Sequence, residues 1–305
     1  MRRLRWVIIR VLRNRDSIFI PKGAFELEDR VSALAALKES FIALLNKQIG
    51  EQEYQEFIEK NTALVPREFI QNHGVHLDVV FRKLSLAADY TTDFFYLSKS
   101  SVDWNCILIE IEKPQSKYFK DDASTNFHPD FHTALEQINR WRAWFSNEPN
   151  RNGFVNGTIS LLRGPGHWMW QNPCYIKYVL VHGRRTEFEG NEIRRRLISG
   201  QERDDFHILS YDSLVESLHS KGELYMARRK NEHIEVLSER FISEGLLSSI
   251  DPSYLKITDE LRKSALDHKE SWHEYSLLGR CLALENALPK IGSLRVRADA
   301  PIAEG

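Results

Sequence analysis

Two nearly unbroken apolar runs constrain this chain more than any other feature. One is CILIEI at 106–111, the other YIKYVLVHG at 175–183. A strand that is apolar on both faces needs cover on both, so it belongs inside a sheet with a packed layer on each side. Between the runs, Phe131, Leu135, Ile138, Trp141 and Phe145 recur at helical spacing and predict a helix over about 130–146. Further helices are predicted at 28–48 and 51–61. Strands are expected at 75–82, 92–97 and 157–162, and a strand running into a helix over 206–218. From 223 the chain reads as helical and highly charged. The pattern implies an α/β fold with a mixed central sheet flanked by helices. It divides into an N-terminal strand/helix arm over 1–48, a core over 49–222 and a helical C-terminal extension over 223–305.

The first run ends abnormally for a buried strand: CILIEIEKPQ places Glu110, Glu112 and Lys113 before Pro114. Side chains alternate along a strand, so Glu110 and Glu112 share a face, roughly 7 Å apart at ~3.3 Å per residue. Cys106 and Leu108 precede them on that face, while Ile107, Ile109 and Ile111 pack the other. Two adjacent buried carboxylates cost several kcal/mol unless neutralised. A divalent cation would neutralise them, and Mg²⁺ takes hard oxygen ligands and retains several waters. Asp93, in TTDFFYL, lies across a hairpin-length connection and can join Glu110 on a neighbouring strand. Carboxylates around such an ion can orient a water and stabilise a phosphodiester transition state.

Composition narrows the partners. A net charge of −1 gives no global signal for a polyanion, so a nucleic-acid surface would need local clusters of Lys and Arg. Three widely spaced cysteines imply neither a disulfide framework nor a zinc site, and they fit a reducing, cytoplasmic setting. No apolar run reaches the ~18 residues of a membrane helix. The first fifteen residues carry six arginines and no acid, and read as a basic strand or arm.

The acid pattern resembles the PD-(D/E)XK nuclease superfamily, with TD on one strand and E-I-E-K on the next. Glu112 stands where that superfamily has lysine, leaving Glu112 or Lys113 to handle the attacking water. Four segments in order are similar to the Shedu family of bacterial anti-phage nucleases. They are EFIEKNTALV at 56–65, TDFFYL with ILIEIEKPQ, ALEQINRWRAWF at 134–145, and VLVHGRR followed by ILSYDSL. The resemblance implies a restriction-endonuclease-like core and an Mg²⁺-dependent endodeoxyribonuclease, with Mn²⁺ as a possible substitute. It further implies a homo-oligomer that acts on DNA in phage defence without a membrane or a small-molecule cofactor. On it, Asp93, Glu110, Glu112, Lys113 and Gln137 are the catalytic candidates. Asp93 and Glu110 would hold the metal, with Glu53 of the early helix completing the shell. Arg140, Arg142, Arg184 and Arg185 are the candidate phosphate contacts, whereas Arg194–Arg196 read as a solvated helix face. Two other readings compete. One is a weak or inactive DNA-binding or assembly protein on the same fold. The other is a two-carboxylate glycosidase, which the crowding of acids on one strand disfavours.

Overall fold

The computed structural model describes residues 24–268, apart from positions 48, 89, 122, 164–167 and 251–253. The expected N-terminal basic strand and residues 269–305 of the C-terminal extension lie outside the described residues. In chain order come helices α1 (Ala24–Leu45) and α2 (Glu51–Lys60), then strand β1 (Val79–Arg82) and the small hairpin β2 (Ser85–Ala87) with β3 (Tyr90–Thr91). Strands β4 (Phe94–Lys99) and β5 (Trp104–Ile111) follow, then α3 (Pro129–Ser146), α4 (Glu148–Phe154) and α5 (Ser160–Arg163). Next are β6 (Cys174–Val181), α6 (Glu192–Ser199), β7 (Phe206–Leu209) and α7 (Tyr211–Glu216). The chain then forms β8 (Tyr225–Lys230), β9 (His233–Val236), α8 (Gly245–Ser249), β10 (Leu255–Lys256) and α9 (Asp259–Asp267).

Eight strands form one mixed sheet in the order β10-β9-β8-β1-β4-β5-β6-β7. Strand β5 is central: it pairs antiparallel with β4 and parallel with β6 along its whole length. The alternation read from the sequence is realised. Cys106 and Leu108 enter one core layer with Phe95, Leu97 and the α3 stripe. Ile107, Ile109 and Ile111 enter the other with Tyr54 and Ile58 of α2 and Tyr211 and Leu214 of α7. The α3 stripe is Phe131, Ala134, Ile138, Trp141 and Phe145, all buried. Each large apolar side chain so buried contributes about 1.5–3 kcal/mol.

Two expectations fail here. Residues 157–162 are helical, not extended: a π-turn over Val155–Ile159 carries α4 into α5. Asn147 caps α4 and Pro149 sits in its first turn, so a new helix starts where α3 ends. Ile159 and Leu162 then bury at helical spacing. The segment after 223 begins as strands rather than helix. Tyr225 and Ala227 of β8 are fully buried, and Asn231 takes a left-handed φ of 55° in the turn to β9. The charged residues mislead because they occupy the solvated turn and the outward positions of this hairpin. The C-terminal part therefore completes the central sheet, and among the described residues only α8 and α9 are the helices expected there.

Candidate active site

The chain places its acids at the C-terminal end of the parallel pair β5/β6, the edge where open α/β sheets bind ligands. Asp93 precedes β4 and is buried. Its amide donates to the Ile109 carbonyl at 3.1 Å, and its Oδ2 accepts the Ile111 amide at 2.7 Å. Its Oδ1 meets Lys83 Nζ at 2.5 Å, and the Lys83 amide donates back to the Asp93 carbonyl at 2.9 Å. Lys83 leaves β1 with φ of 45°, a left-handed turn that swings its ammonium onto the acid. Sequence reasoning missed Lys83. The only signal was a basic residue at the end of the strand preceding the acid's own.

Glu110 is half-buried on the α3 side of β5. Burial first, then Asp93 and Glu112, push its carboxyl well above the ordinary range, against the pull of Lys83. Glu112 lies just past the strand. Its amide donates to the Val181 carbonyl at 2.8 Å, and its own carbonyl accepts the Tyr211 hydroxyl at 2.5 Å. Burial, then Glu51, Asp93 and Asp130, raise its carboxyl to about 7, while Lys113 opposes. Glu51, the first residue of α2, is raised by burial and by Asp93. The first turns of α2 and α3 thus both reach the acids, through Glu51 and Asp130, and their positive dipole ends partly offset the crowding.

Of the early-helix acids, Glu51 joins the cluster and Glu53 does not. Glu53 is exposed, and its carboxylate folds over Gly50 at its own helix start. Glu59 instead pairs with Arg82 at 2.7 Å. Lys113 is exposed beside Glu51 and Glu112. Gln137 lies half-buried two turns into α3 and forms no hydrogen bond with the acids.

Beneath the acids a polar layer fixes the loop that leaves β5. Gln115 Nε2 donates to the Tyr54 hydroxyl and to the Lys47 carbonyl, both at 2.7 Å. Gly183 follows β6 at φ of 54°, and a Cβ there would stand 2.6 Å from the Ser116 carbonyl oxygen. No side chain fits between the two loops, so glycine is required. A cleft of about 260 Å³ opens beside this layer, lined in part by Pro114, Gln115, Lys117 and Arg184.

The predicted phosphate-binding arginines are mostly engaged. Arg142 forms a two-pronged pair with Asp205 and lies over the Tyr178 and Phe206 rings. Arg184 grips Asp212 with Nε and Nη2, and Arg185 grips Glu216. Arg140 is exposed, with a loose contact to Glu136 at 3.5 Å. Arg194 is not on a solvated face: it is buried over the Phe119 ring and donates to the Asp121, Ser124 and Glu187 carbonyls. Arg195 and Arg196 do pair with Glu192 at the surface. Among the described residues Lys83 and Lys113 are exposed cations beside the acids, and Lys117 and Lys120 are exposed further along the loop that leaves β5.

The donor chemistry suits a hard cation, since every acid offers oxygen and like charges crowd one edge. Among the described residues no three acidic, histidine or cysteine side chains converge on one point. An ion held here would take one or two carboxylates and keep most of its water, as Mg²⁺ does.

A family model described as Shedu protein SduA, C-terminal, matches residues 49–215, just over half of the chain. The match spans α2 through most of α7 and so includes every acid of the cluster. No curated protein matches the chain.

Proposed function

The chain belongs to the Shedu family, and from that premise we propose that it is a metal-dependent DNA endonuclease of bacterial anti-phage defence. The observation that carries this reading is the crowding of Asp93, Glu110, Glu112 and Glu51 at one sheet edge. Such an arrangement raises the free energy of the empty site, and a divalent cation relieves it. Mg²⁺, or Mn²⁺ in its place, would be held by Asp93 and Glu110 and would supply an activated water and charge stabilisation. Lys83 orients Asp93 by hydrogen bond and ion pair. Glu112, raised to about 7, can take a proton from a water near neutral pH. Lys113, Lys117 and Lys120 are suited to the phosphates flanking the scissile bond. The core is read as restriction-endonuclease-like, acting as a homo-oligomer.

The second reading, a DNA-binding protein without cleavage, is favoured by Glu112 standing in the position of the expected lysine. Supercoiled and linear DNA incubated with Mg²⁺ or with EDTA separates the two. Cleavage by the wild type with Mg²⁺ alone, falling at least ~100-fold in Glu110→Gln and Glu51→Gln but not in Glu53→Gln, is the expected result. Binding without cleavage in every condition would favour the second reading.

A further inference from the structure

On the sheet face opposite α3, the loop after α2 and the loop before β8 bring two cations together. Lys221 is 8% exposed, yet among the described residues its ammonium has no hydrogen-bond or ion-pair partner. Beside it lies the Arg67 guanidinium. Arg67 Nη2 donates to the Gly222 carbonyl at 3.0 Å, while its Nη1 is buried without a partner. The carboxylates within electrostatic reach, Asp78 and Glu68, form no ion pair with either cation among the described residues, and Glu68 Oε2 bonds His207 at 3.0 Å. The Tyr96 hydroxyl is also occupied, donating to the Glu68 carbonyl at 2.6 Å. Asp78 acts on Arg67 and Glu68 on Lys221 only at a distance, neither cation is ion-paired among the described residues, and Arg67 leaves a buried N–H unused.

We propose that Lys221 and Arg67 form an anion site that takes a small phosphate-bearing ligand, separate from the acid cluster. Tyr96 and Phe95 point to opposite faces of β4, and the α3-side layer holds Phe95. An anion at Lys221 would therefore sit across the sheet from Glu110. Guanidinium and ammonium together match a phosphate, the first by directed N–H groups and the second by point charge. Burial lowers Lys221 to about 7 and Arg67 to about 10; Arg67 further depresses Lys221, while Glu68 opposes the shift of the first and Asp78 that of the second. The depth of Lys221 admits a terminal phosphate more readily than the flank of a continuous duplex.

The test reads binding, not cleavage, so it stands or fails apart from the proposed nuclease activity. The full chain is titrated with inorganic phosphate, a 5′-mononucleotide and a blunt duplex with or without 5′-phosphates. Melting temperature is followed against chloride of equal ionic strength. Saturable stabilisation by phosphate, weakened about tenfold or more in affinity by Lys221→Met, is expected. Stabilisation by the mononucleotide alone would identify a free ligand, and preference for the 5′-phosphorylated duplex would identify a DNA end. Equal shifts in wild type and Lys221→Met, or no shift beyond that of chloride, would overturn the proposal. Should Lys221→Met fail to fold, acetylation of Lys221 in the wild type, mapped by mass spectrometry, tests the same site. Phosphate must protect that amine, and an unchanged rate refutes the site.

Discussion

His182 shows how one buried residue can set a pH dependence. It has no exposed surface, packs against the Tyr118 and Phe131 rings and directs Nε2 to the Lys117 carbonyl. Burial holds its pKa down at about 4. The unfolded imidazole protonates near its ordinary 6.5, and the folded one only near 4. The unfolded state therefore gains protons first as pH falls, and His182 withdraws stability from pH 6.5 downward, by up to about 3 kcal/mol. Glu112 acts with the opposite sign, since its folded pKa is raised to about 7 and acidification favours its native form. The two are separated by comparison. His182→Gln retains a partner for the Lys117 carbonyl and cannot titrate, so wild type should lose stability relative to it between pH 7 and pH 4. Parallel urea midpoints for the two proteins would show that His182 does not set the dependence.

At the level of elements, the joint between β6 and α7 is the most informative. Asp212 accepts Arg184 Nη2 at 2.8 Å and the Arg185 amide at 2.7 Å, tying the GRR loop to the first turn of α7. Asp212→Ala would strand a half-buried guanidinium and an amide. It should cost about 2 kcal/mol in denaturant midpoint, with less lost in Arg184→Ala/Asp212→Ala than the two singles add to. The motif VLVHGRR…YDSL is recognisable in the sequence, but its meaning is not: both arginines look available for phosphate because their carboxylate partners lie a strand and a loop away. The same limit applies across the site. Glu110, Glu112 and Asp93 are legible because strand alternation is local. Glu51 and Lys83 are not, because helix packing and a left-handed turn bring them in. The hairpin β8–β9 reads wrongly because Arg228, Arg229, Lys230 and Glu232 cluster around its turn and mask the buried Tyr225, Met226, Ala227, Ile234 and Val236. The apolar run at 157–162 resembles a strand because length and composition do not distinguish strand from helix in so short a stretch.

For the whole molecule, the C-terminal third completes the sheet, adding β8, β9 and β10 beyond β1. Strand β8 covers the β1 edge that β4 leaves open, pairing Val79, Val80 and Phe81 with Tyr225, Met226 and Ala227. A chain ending at Gly222 should therefore lose its cooperative unfolding transition and its near-ultraviolet circular dichroism; a sharp transition would show that the core closes without β8. The helices α8 and α9 add Leu246, Leu247, Leu261 and Ala265 to the same core layer, so they belong to the fold rather than hang from it. No helix among the described residues is long and apolar enough to cross a membrane. The pairing of β1 with β8 also imposes an order on synthesis. Until residues 225–230 leave the ribosome, β1 lacks its parallel partner and has a strand neighbour on one edge alone, β4 at Phe81 and Arg82. The sheet that carries the acid cluster is thus completed late in translation, after every acid of the cluster has been made.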